Sequence, residues 1–197
     1  MTKKKKILII SLFGFILVGV VSAYVIYGST LIDITNEKSI NKYLSDDEKN
    51  SVTILAMDTY QDYALVVYTT TEDLASVQKR EFIKHKLYKN RYRSAGSRNQ
   101  TNGYSVSLNR VRNADFEDEN VYAISNVQSD YTSCSIFEID NNTMRILKKV
   151  DEVDVPNKAY IIFKEYRLES EDHSLIAFDG SLDMNDEEIV ELNLAAG

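Results

Sequence analysis

The strongest constraint on this chain is an uncharged segment near its amino terminus. The segment runs from Ile7 to Tyr27 and follows four consecutive lysines, Lys3 to Lys6. As a helix it would extend about 31 Å, close to the thickness of the hydrocarbon core of a bilayer. Because a helix satisfies its own backbone hydrogen bonds, such a segment can lie in lipid. The pattern predicts a transmembrane anchor.

The flanking residues predict the orientation of this anchor. Lysines mark the cytoplasmic side, whereas Tyr24 and Tyr27 lie at the opposite end, where aromatic rings favour the membrane interface. We therefore expect a single-pass cell-membrane protein with a cytoplasmic amino terminus and an extracytoplasmic remainder. A signal peptide cleaved after Ala23 is the alternative, because Val21–Ala23 offers the small residues that a signal peptidase requires. The apolar run continues through Val25–Tyr27, which favours a retained anchor.

The composition of the remainder predicts one acidic domain without disulfides. Cys134 is the only cysteine of the chain, so no intramolecular disulfide can form. Without the four lysines the chain has 19 Lys and Arg against 30 Asp and Glu, a net charge of −11. Such a balance argues against a general binder of nucleic acid or of anionic membranes, but it does not exclude one local basic face. We expect a lysine cluster and anchor over residues 1–28, a stalk and short helix over 29–50, and an extracytoplasmic domain over 51–197.

The sequence from Val52 onward predicts an all-β domain. A short helix over Asn36–Leu44, with Asn36 as its N-cap, leads into it, and Ser45–Glu48 is expected to be a turn. Apolar or alternating segments separated by Asn, Asp, Gly and Ser favour a mainly antiparallel sheet or sandwich. The continuous apolar run Tyr63–Tyr68 is typical of a strand covered on both faces. The predicted strands are 52–57, 63–68, 77–93, 104–111, 121–127, 134–139, 144–150, 160–168 and 174–178, with a final strand or short helix over 189–194.

Four features together give the chain a distinct layout. They are the lysine-rich start, one apolar helix, a short helical lead-in and an apolar strand that opens with the run Asp62–Tyr68. This layout resembles that of small, single-span, surface-anchored proteins of Gram-positive bacteria. The scarcity of cysteine fits the same setting. The resemblance implies a location at the cell envelope and implies no activity.

Residues of catalytic type occur here without a catalytic pattern. No carboxylate stands beside His85, and Asp172, His173 and Ser174 are neighbours in the chain that cannot form a catalytic triad by themselves. Cys134, on a predicted apolar strand, is expected to be a buried thiol rather than a nucleophile. The sequence therefore predicts a non-catalytic domain that uses no cofactor.

One acidic turn has part of the pattern of a calcium-binding loop. Asp183, Asn185 and Glu187 have the alternating oxygen spacing of such a loop. The sixth position, however, is Glu188 instead of glycine, and the twelfth is Leu194 instead of glutamate. We expect a solvated acidic turn and predict no metal site.

The basic segment Lys79–Arg98 is the best candidate for a binding surface. It has eight Lys and Arg but only one acid, Glu81, in an otherwise acidic chain. If Phe82–Arg93 is one strand, neither face is purely apolar, and its distal half should project beyond the core. The segment that follows, Ser94–Gly103, is predicted to be an irregular, mobile loop. The candidate binding residues are Lys86, Tyr88, Lys89, Arg91, Tyr92 and Arg93.

Two interpretations of the basic segment stay open. In the first, it lies beside acidic segments such as Asp115–Glu119 and forms charge pairs that stabilise the fold. In the second, it recognises an anionic envelope component (a wall polymer or lipid headgroups near the anchor) or another envelope protein; tyrosines among cations are common at interfaces. We predict a membrane-anchored binding or interaction domain. The alternatives are an envelope hydrolase with dispersed carboxylates, an immunity-type protein against a toxin, and a structural spacer.

Overall fold

The computed structural model describes residues 3–71, 77–100, 106–127, 130–156 and 158–183, with side chains omitted for 3–12 and 97–100. The described chain contains two helices and ten strands, arranged in three antiparallel sheets. The predicted all-β class, with a short helical lead-in, is confirmed. The elements are α1 (Lys3–Ser29), α2 (Glu37–Glu48), β1 (Val52–Tyr60), β2 (Tyr63–Thr70), β3 (Val77–Lys84), β4 (Tyr92–Gln100), β5 (Ser107–Arg112), β6 (Asp118–Asn126), β7 (Ser133–Asp140), β8 (Arg145–Asp154), β9 (Tyr160–Glu165) and β10 (His173–Asp179).

The predicted membrane span falls on helix α1. From Phe13 to Tyr27, this helix exposes large apolar side chains around its whole circumference. The side chains of Ile7–Leu12, the first part of the predicted span, lie outside the described residues. Within the described part of the chain, no helix is both long enough and apolar enough to cross a membrane. The transmembrane helix is therefore a prediction that the structure does not support.

Helix α2 is amphipathic and closes one side of the domain. Asn36 precedes it in an extended conformation, and its side chain accepts a hydrogen bond of 3.1 Å from the Lys38 amide, as an N-cap does. Ile40 and Leu44 are fully buried on the inner face. The helix was expected to end at Leu44, but it continues through Ser45–Glu48. The sequence pattern could not show that the last acidic residues bind a strand of the first sheet.

The three sheets stack in layers. The first sheet has the order β1-β2-β3-β4, the second β5-β6-β9 and the third β10-β7-β8. Val66 and Phe82 of the first sheet pack with α2. The opposite face, with Leu65, packs against the second sheet, for example at Ala123. The other face of the second sheet, with Ile124, packs against the third.

Strand β2 lies at the centre of this arrangement. All eight of its residues are buried, because alternate side chains enter the core on the α2 side and the core shared with the second sheet. The prediction of a strand covered on both faces is confirmed.

The predicted strand 77–93 is wrong, because the chain reverses within it. Strands β3 and β4 form an antiparallel pair in which Lys84 lies opposite Tyr92, so residues 85–91 form the connecting turn. Asn90 adopts a left-handed conformation, with φ of 56°, within this turn. Ser94–Gln100, predicted to be irregular, belongs to β4. Residues 101–105 and the possible element over 189–194 lie outside the described residues.

Candidate functional site

The candidate site is the turn between β3 and β4, residues 85–91, which we call the basic turn. Its ends are joined by a hydrogen bond of 2.7 Å from the His85 amide to the Arg91 carbonyl. The Tyr88 amide donates to the His85 carbonyl at 3.2 Å, and the Arg91 amide donates to the Tyr88 carbonyl at 3.4 Å. These internal bonds give the turn a defined shape, which fixes where its side chains project.

The basic turn packs against the carboxyl-terminal end of α1. The rings of Tyr24 and Tyr88 are stacked, with centroids 4.4 Å apart. The Tyr88 hydroxyl donates to the Tyr24 carbonyl at 2.6 Å, and the Tyr24 hydroxyl donates to the Leu87 carbonyl at 3.2 Å. Desolvation, helped by the neighbouring Tyr24 and Tyr27, raises the pKa of the Tyr88 phenol. A phenol is already neutral at physiological pH without this shift, so Tyr88 acts as a hydrogen-bond donor.

A second aromatic contact completes this docking. The Tyr27 ring meets the edge of the His85 ring, with centroids 5.4 Å apart, and the Tyr27 hydroxyl lies 3.4 Å from His85 Nε2. Because the Leu87 amide donates to His85 Nδ1 at 3.2 Å, this nitrogen acts as an acceptor, which leaves the proton of the neutral ring on Nε2. We call Tyr24, Tyr27, His85 and Tyr88 the aromatic clasp.

Gly28 permits the close approach of the two partners. A Cβ atom at this position would lie 2.6 Å from a ring carbon of Tyr88, far inside van der Waals contact. A side chain at this position would displace the Tyr88 ring, so glycine lets α1 and the basic turn meet as they do. The sequence pattern placed Tyr24 and Tyr27 at a membrane interface but did not indicate their contact with the turn; aromatic residues at the end of the apolar run were the only signal.

The cations on strand β3 form ion pairs and hydrogen bonds with other residues of the domain. The buried guanidinium of Arg80 forms ion pairs with Asp47 and with Glu48, the latter at 3.3 Å. The Tyr68 hydroxyl donates to the same Glu48 carboxylate at 2.6 Å. Lys79 is also buried and donates to the Ser107 hydroxyl. This half of the basic segment stabilises the packing of α2 and the second sheet on the first.

Two of the candidate binding residues contact the loop between β5 and β6. Lys86 forms an ion pair with Asp115, which belongs to the acidic segment that the first interpretation singled out. The Arg93 guanidinium carbon lies 4.0 Å from the centre of the Phe116 ring, a cation–π contact. For these two side chains, the contacts agree with the stabilising interpretation.

Tyr92 does not lie on the surface where the sequence pattern placed it. Its side chain is only 7% exposed and packs in the core on the α2 side of the first sheet. Its backbone exchanges two hydrogen bonds with Ile32, at 2.8 and 2.9 Å. The prediction was wrong because the reversal at residues 85–91 places the start of β4 back within the sheet.

Three side chains of the basic turn project from it without an ion pair or an aromatic contact to a described residue. Lys89 is exposed and Arg91 is half-buried, and neither forms an ion pair with any residue that the structure describes. Leu87 is 74% exposed. The sequence pattern indicated Lys89 and Arg91 but gave no signal for Leu87, an apolar residue among lysines.

A groove of about 620 Å³ separates the basic turn from the loop after β5. Lys84, Lys86 and Lys89 lie on its basic side, and Asp62 and Asp115 lie opposite. Asp62 is 3.4 Å from Lys84, and Asp115 pairs with Lys86, so both acids are engaged by the lysines they face. Because Lys89 adds a third cation to these two pairs, the groove has a net positive charge.

A separate polar cluster surrounds Glu138, which is 1% exposed. No carboxylate partner was predicted for His173, yet its Nδ1 lies 2.6 Å from Glu138 Oε1. The Glu169 amide donates to the same oxygen at 3.0 Å, and Lys148 Nζ lies 3.3 Å from Oε2. Burial alone would raise the pKa of Glu138, but these hydrogen bonds outweigh it and hold the pKa below its ordinary value.

The contacts of this cluster are not those of a catalytic triad. The Ser174 hydroxyl donates to Asn141 Oδ1 at 2.6 Å, so it is not directed at His173 as a triad would require. The carboxylate partner of His173 comes from position 138, which no local sequence pattern indicated. The cluster joins β7, β8 and β10 and has the contacts of a structural ion-pair network.

The remaining candidates for a catalytic or metal-binding site are unreactive or lie outside the described residues. Cys134 is fully buried, as predicted, and burial, with smaller contributions from nearby carboxylates, raises the pKa of its thiol to about 11. Such a thiol carries almost no thiolate at neutral pH. Among the described residues, no group of three or more His, Cys, Asp and Glu side chains is arranged to hold a metal ion. Asn185, Glu187, Glu188 and Leu194 of the calcium-like pattern lie outside those residues.

Comparison with known proteins gives no relative from which a function can be carried over. No family model, no curated protein and no solved structure matches this chain. Function is therefore inferred from the contacts, burial and charge of the described residues.

Proposed function

We propose that this protein is a membrane-anchored, extracytoplasmic, non-catalytic binding domain of a bacterial cell envelope. Helix α1 is the anchor, and the basic turn is the contact surface. The uncharged run Ile7–Tyr27 supports the anchor, as do the apolar side chains that α1 exposes from Phe13 onward. Exposure of so many apolar groups in water is unfavourable, and lipid would remove that cost.

One observation carries the proposal for the contact surface. The aromatic clasp holds the basic turn against the end of α1, while Lys89 and Arg91 project from it without ion pairs to described residues. The other cations of the segment whose side chains are described are buried, paired or in contact with an aromatic ring. Free cations at a fixed position in an acidic domain are suited to an anionic ligand.

The chemistry of these two side chains defines the class of ligand. Arg91 can donate two parallel hydrogen bonds to a phosphate or carboxylate, and Lys89 adds a mobile point charge. Binding of this kind weakens as salt screens the charges. The proposed ligand is an anionic component of the envelope.

Cell fractionation tests the anchor. Membranes from cells that produce the full chain are washed with carbonate at high pH, and in a separate sample intact protoplasts of the same cells are treated with protease from the outside. We expect the protein to stay in the membrane pellet, to retain the amino-terminal lysines, and to lose its domain to the protease. Release by carbonate, or an amino terminus at Tyr24, would contradict the anchor.

Protection from trypsin tests the ligand class. The full chain is held in nanodiscs of neutral lipid alone, of neutral lipid mixed with anionic bacterial lipid, or of neutral lipid with anionic wall fragments in solution, and trypsin is added across a salt series. We expect an anionic component to slow cleavage after Lys89 and Arg91, and this protection to fall as salt is added. Protection that does not depend on salt, or no protection by any anionic component, would contradict recognition of an anionic component.

A further inference from the structure

We infer that the anionic group is the headgroup phosphate of a phospholipid with net negative charge, in the same membrane that holds α1. Leu87 would enter the interface between headgroups and acyl chains, and Lys89 and Arg91 would bind the phosphates around it. This inference rests on the proposed anchor and names the ligand of the proposed contact surface.

The position of the basic turn supports this assignment. Tyr24 and Tyr27, the last aromatic residues of the uncharged run, contact the turn through their rings. Aromatic rings at the end of a membrane helix lie at the level of the headgroups. Because Tyr88 stacks on Tyr24, the basic turn lies at the same depth as these rings.

The composition of the turn fits an interface between water and lipid. Leu87 is 74% exposed between Lys86 and Lys89, so an apolar tip is surrounded by cations. This combination is typical of segments that insert apolar side chains while their cations bind anionic headgroups. Lysine can also extend its apolar stem along lipid and keep its ammonium group in water.

Leu87 favours lipid over a wall polymer. A polyanion in water would bind Lys89 and Arg91 but would offer nothing to an exposed leucine. An anionic bilayer satisfies both kinds of side chain at once. We therefore commit to the membrane as the partner and treat a wall polymer as an outcome of the test.

The chain contains no tryptophan, which makes a selective experiment possible. The variant Leu87→Trp introduces a single indole at an exposed position. The full-length variant is placed in nanodiscs of phosphatidylcholine, with or without phosphatidylglycerol, and with or without brominated acyl chains. We expect the indole emission to shift to the blue and to be quenched by bromine when phosphatidylglycerol is present, and both effects to weaken with salt.

A charge-reversed variant and a matched control sharpen the result. Adding Lys89→Glu and Arg91→Glu should raise the share of phosphatidylglycerol needed for half of the shift by about fivefold or more. The control adds Arg145→Glu and Lys158→Glu, an exposed arginine and an exposed lysine outside the turn, and should leave the shift unchanged.

The outcomes separate this inference from the proposed function. An indole that stays solvated and unquenched in anionic nanodiscs that retain the protein would overturn the lipid assignment and leave the anchor in place. Failure of the protein to enter nanodiscs would overturn both. A shift caused by lipid-free wall fragments in neutral nanodiscs would overturn the lipid assignment in favour of a wall polymer.

Discussion

Strand β3 and the basic turn are adjacent parts of one basic segment, but they use their cations differently. On β3, Arg80 is buried between Asp47 and Glu48 of α2. In the turn, Lys89 and Arg91 form no ion pair with a described residue. The difference arises because β3 is covered on both faces, whereas the turn extends past the sheet to the end of α1. A cluster of like charges in a sequence can therefore contain one part that stabilises the fold and another that is available for a ligand.

The largest effect is expected on the structural side of this comparison. Arg80→Ala should lower the free energy of unfolding by about 3 kcal/mol, because it leaves the Glu48 carboxylate and the Tyr68 hydroxyl without their cation. Urea denaturation of the full chain measures the change. Arg145→Ala, at an exposed position, is the control and should change the same quantity by less than about 0.5 kcal/mol. Equal effects of the two substitutions would contradict the structural role of Arg80.

The second prediction concerns the buried carboxylate of Glu138 and its pH dependence. Because the folded-state pKa of Glu138 is lowered, its ionised form stabilises the fold above the unfolded-state pKa, and this contribution is lost as pH falls through the folded-state pKa. Glu138→Gln should cost about 2 kcal/mol at pH 7. The gap between wild type and variant should narrow when urea denaturation is repeated at decreasing pH below about 4.5. A gap that stays constant with pH would contradict the assignment.

The partner of Glu138, distant in the chain, illustrates what the sequence could and could not predict. The run Tyr63–Tyr68 predicted a doubly covered strand because its apolar pattern is local. The partner His173 is 35 positions from Glu138, and Asp115 is 29 positions from Lys86. No periodicity connects residues so far apart, so these pairs appear only when the sheets are assembled.

The basic turn was missed for a related reason. Residues 85–91 contain neither glycine nor proline, and Asn90 is the one residue with a left-handed conformation there. Alternating polar and apolar residues therefore suggested that the strand continued. Contact between Tyr88 and Tyr24 spans 64 positions, which placed the aromatic clasp beyond any local pattern.

The third prediction tests the aromatic clasp. Gly28→Ala should displace the Tyr88 ring, because the new Cβ would lie 2.6 Å from it. Trypsin should then cleave the full chain within the basic turn several-fold faster, while the loss in unfolding free energy stays at about 1 kcal/mol, since the ring can move. Gly19→Ala, where no atom lies within 4 Å of the added Cβ, is the matched control. Identical cleavage rates in both variants would argue against a clasp.

The smallest effect on stability is expected for the cations of the turn. Lys89→Glu combined with Arg91→Glu should change the free energy of unfolding by less than about 0.5 kcal/mol, because neither side chain forms an ion pair with a described residue. Urea denaturation beside Arg80→Ala gives the direct contrast. A loss as large as that of Arg80→Ala would mean that the turn, like β3, serves the fold.

The most direct test of the recognition surface compares envelope binding by the wild type and by this same double variant. Both full-length proteins are extracted from bacterial membranes in a mild neutral detergent at low and high salt, and the anionic envelope components that co-purify with each, lipid and wall polymer, are measured. We expect the wild type to bind anionic component in a salt-sensitive way and the variant to bind roughly tenfold less. Equal binding by the two proteins would contradict the claim that Lys89 and Arg91 form a recognition surface.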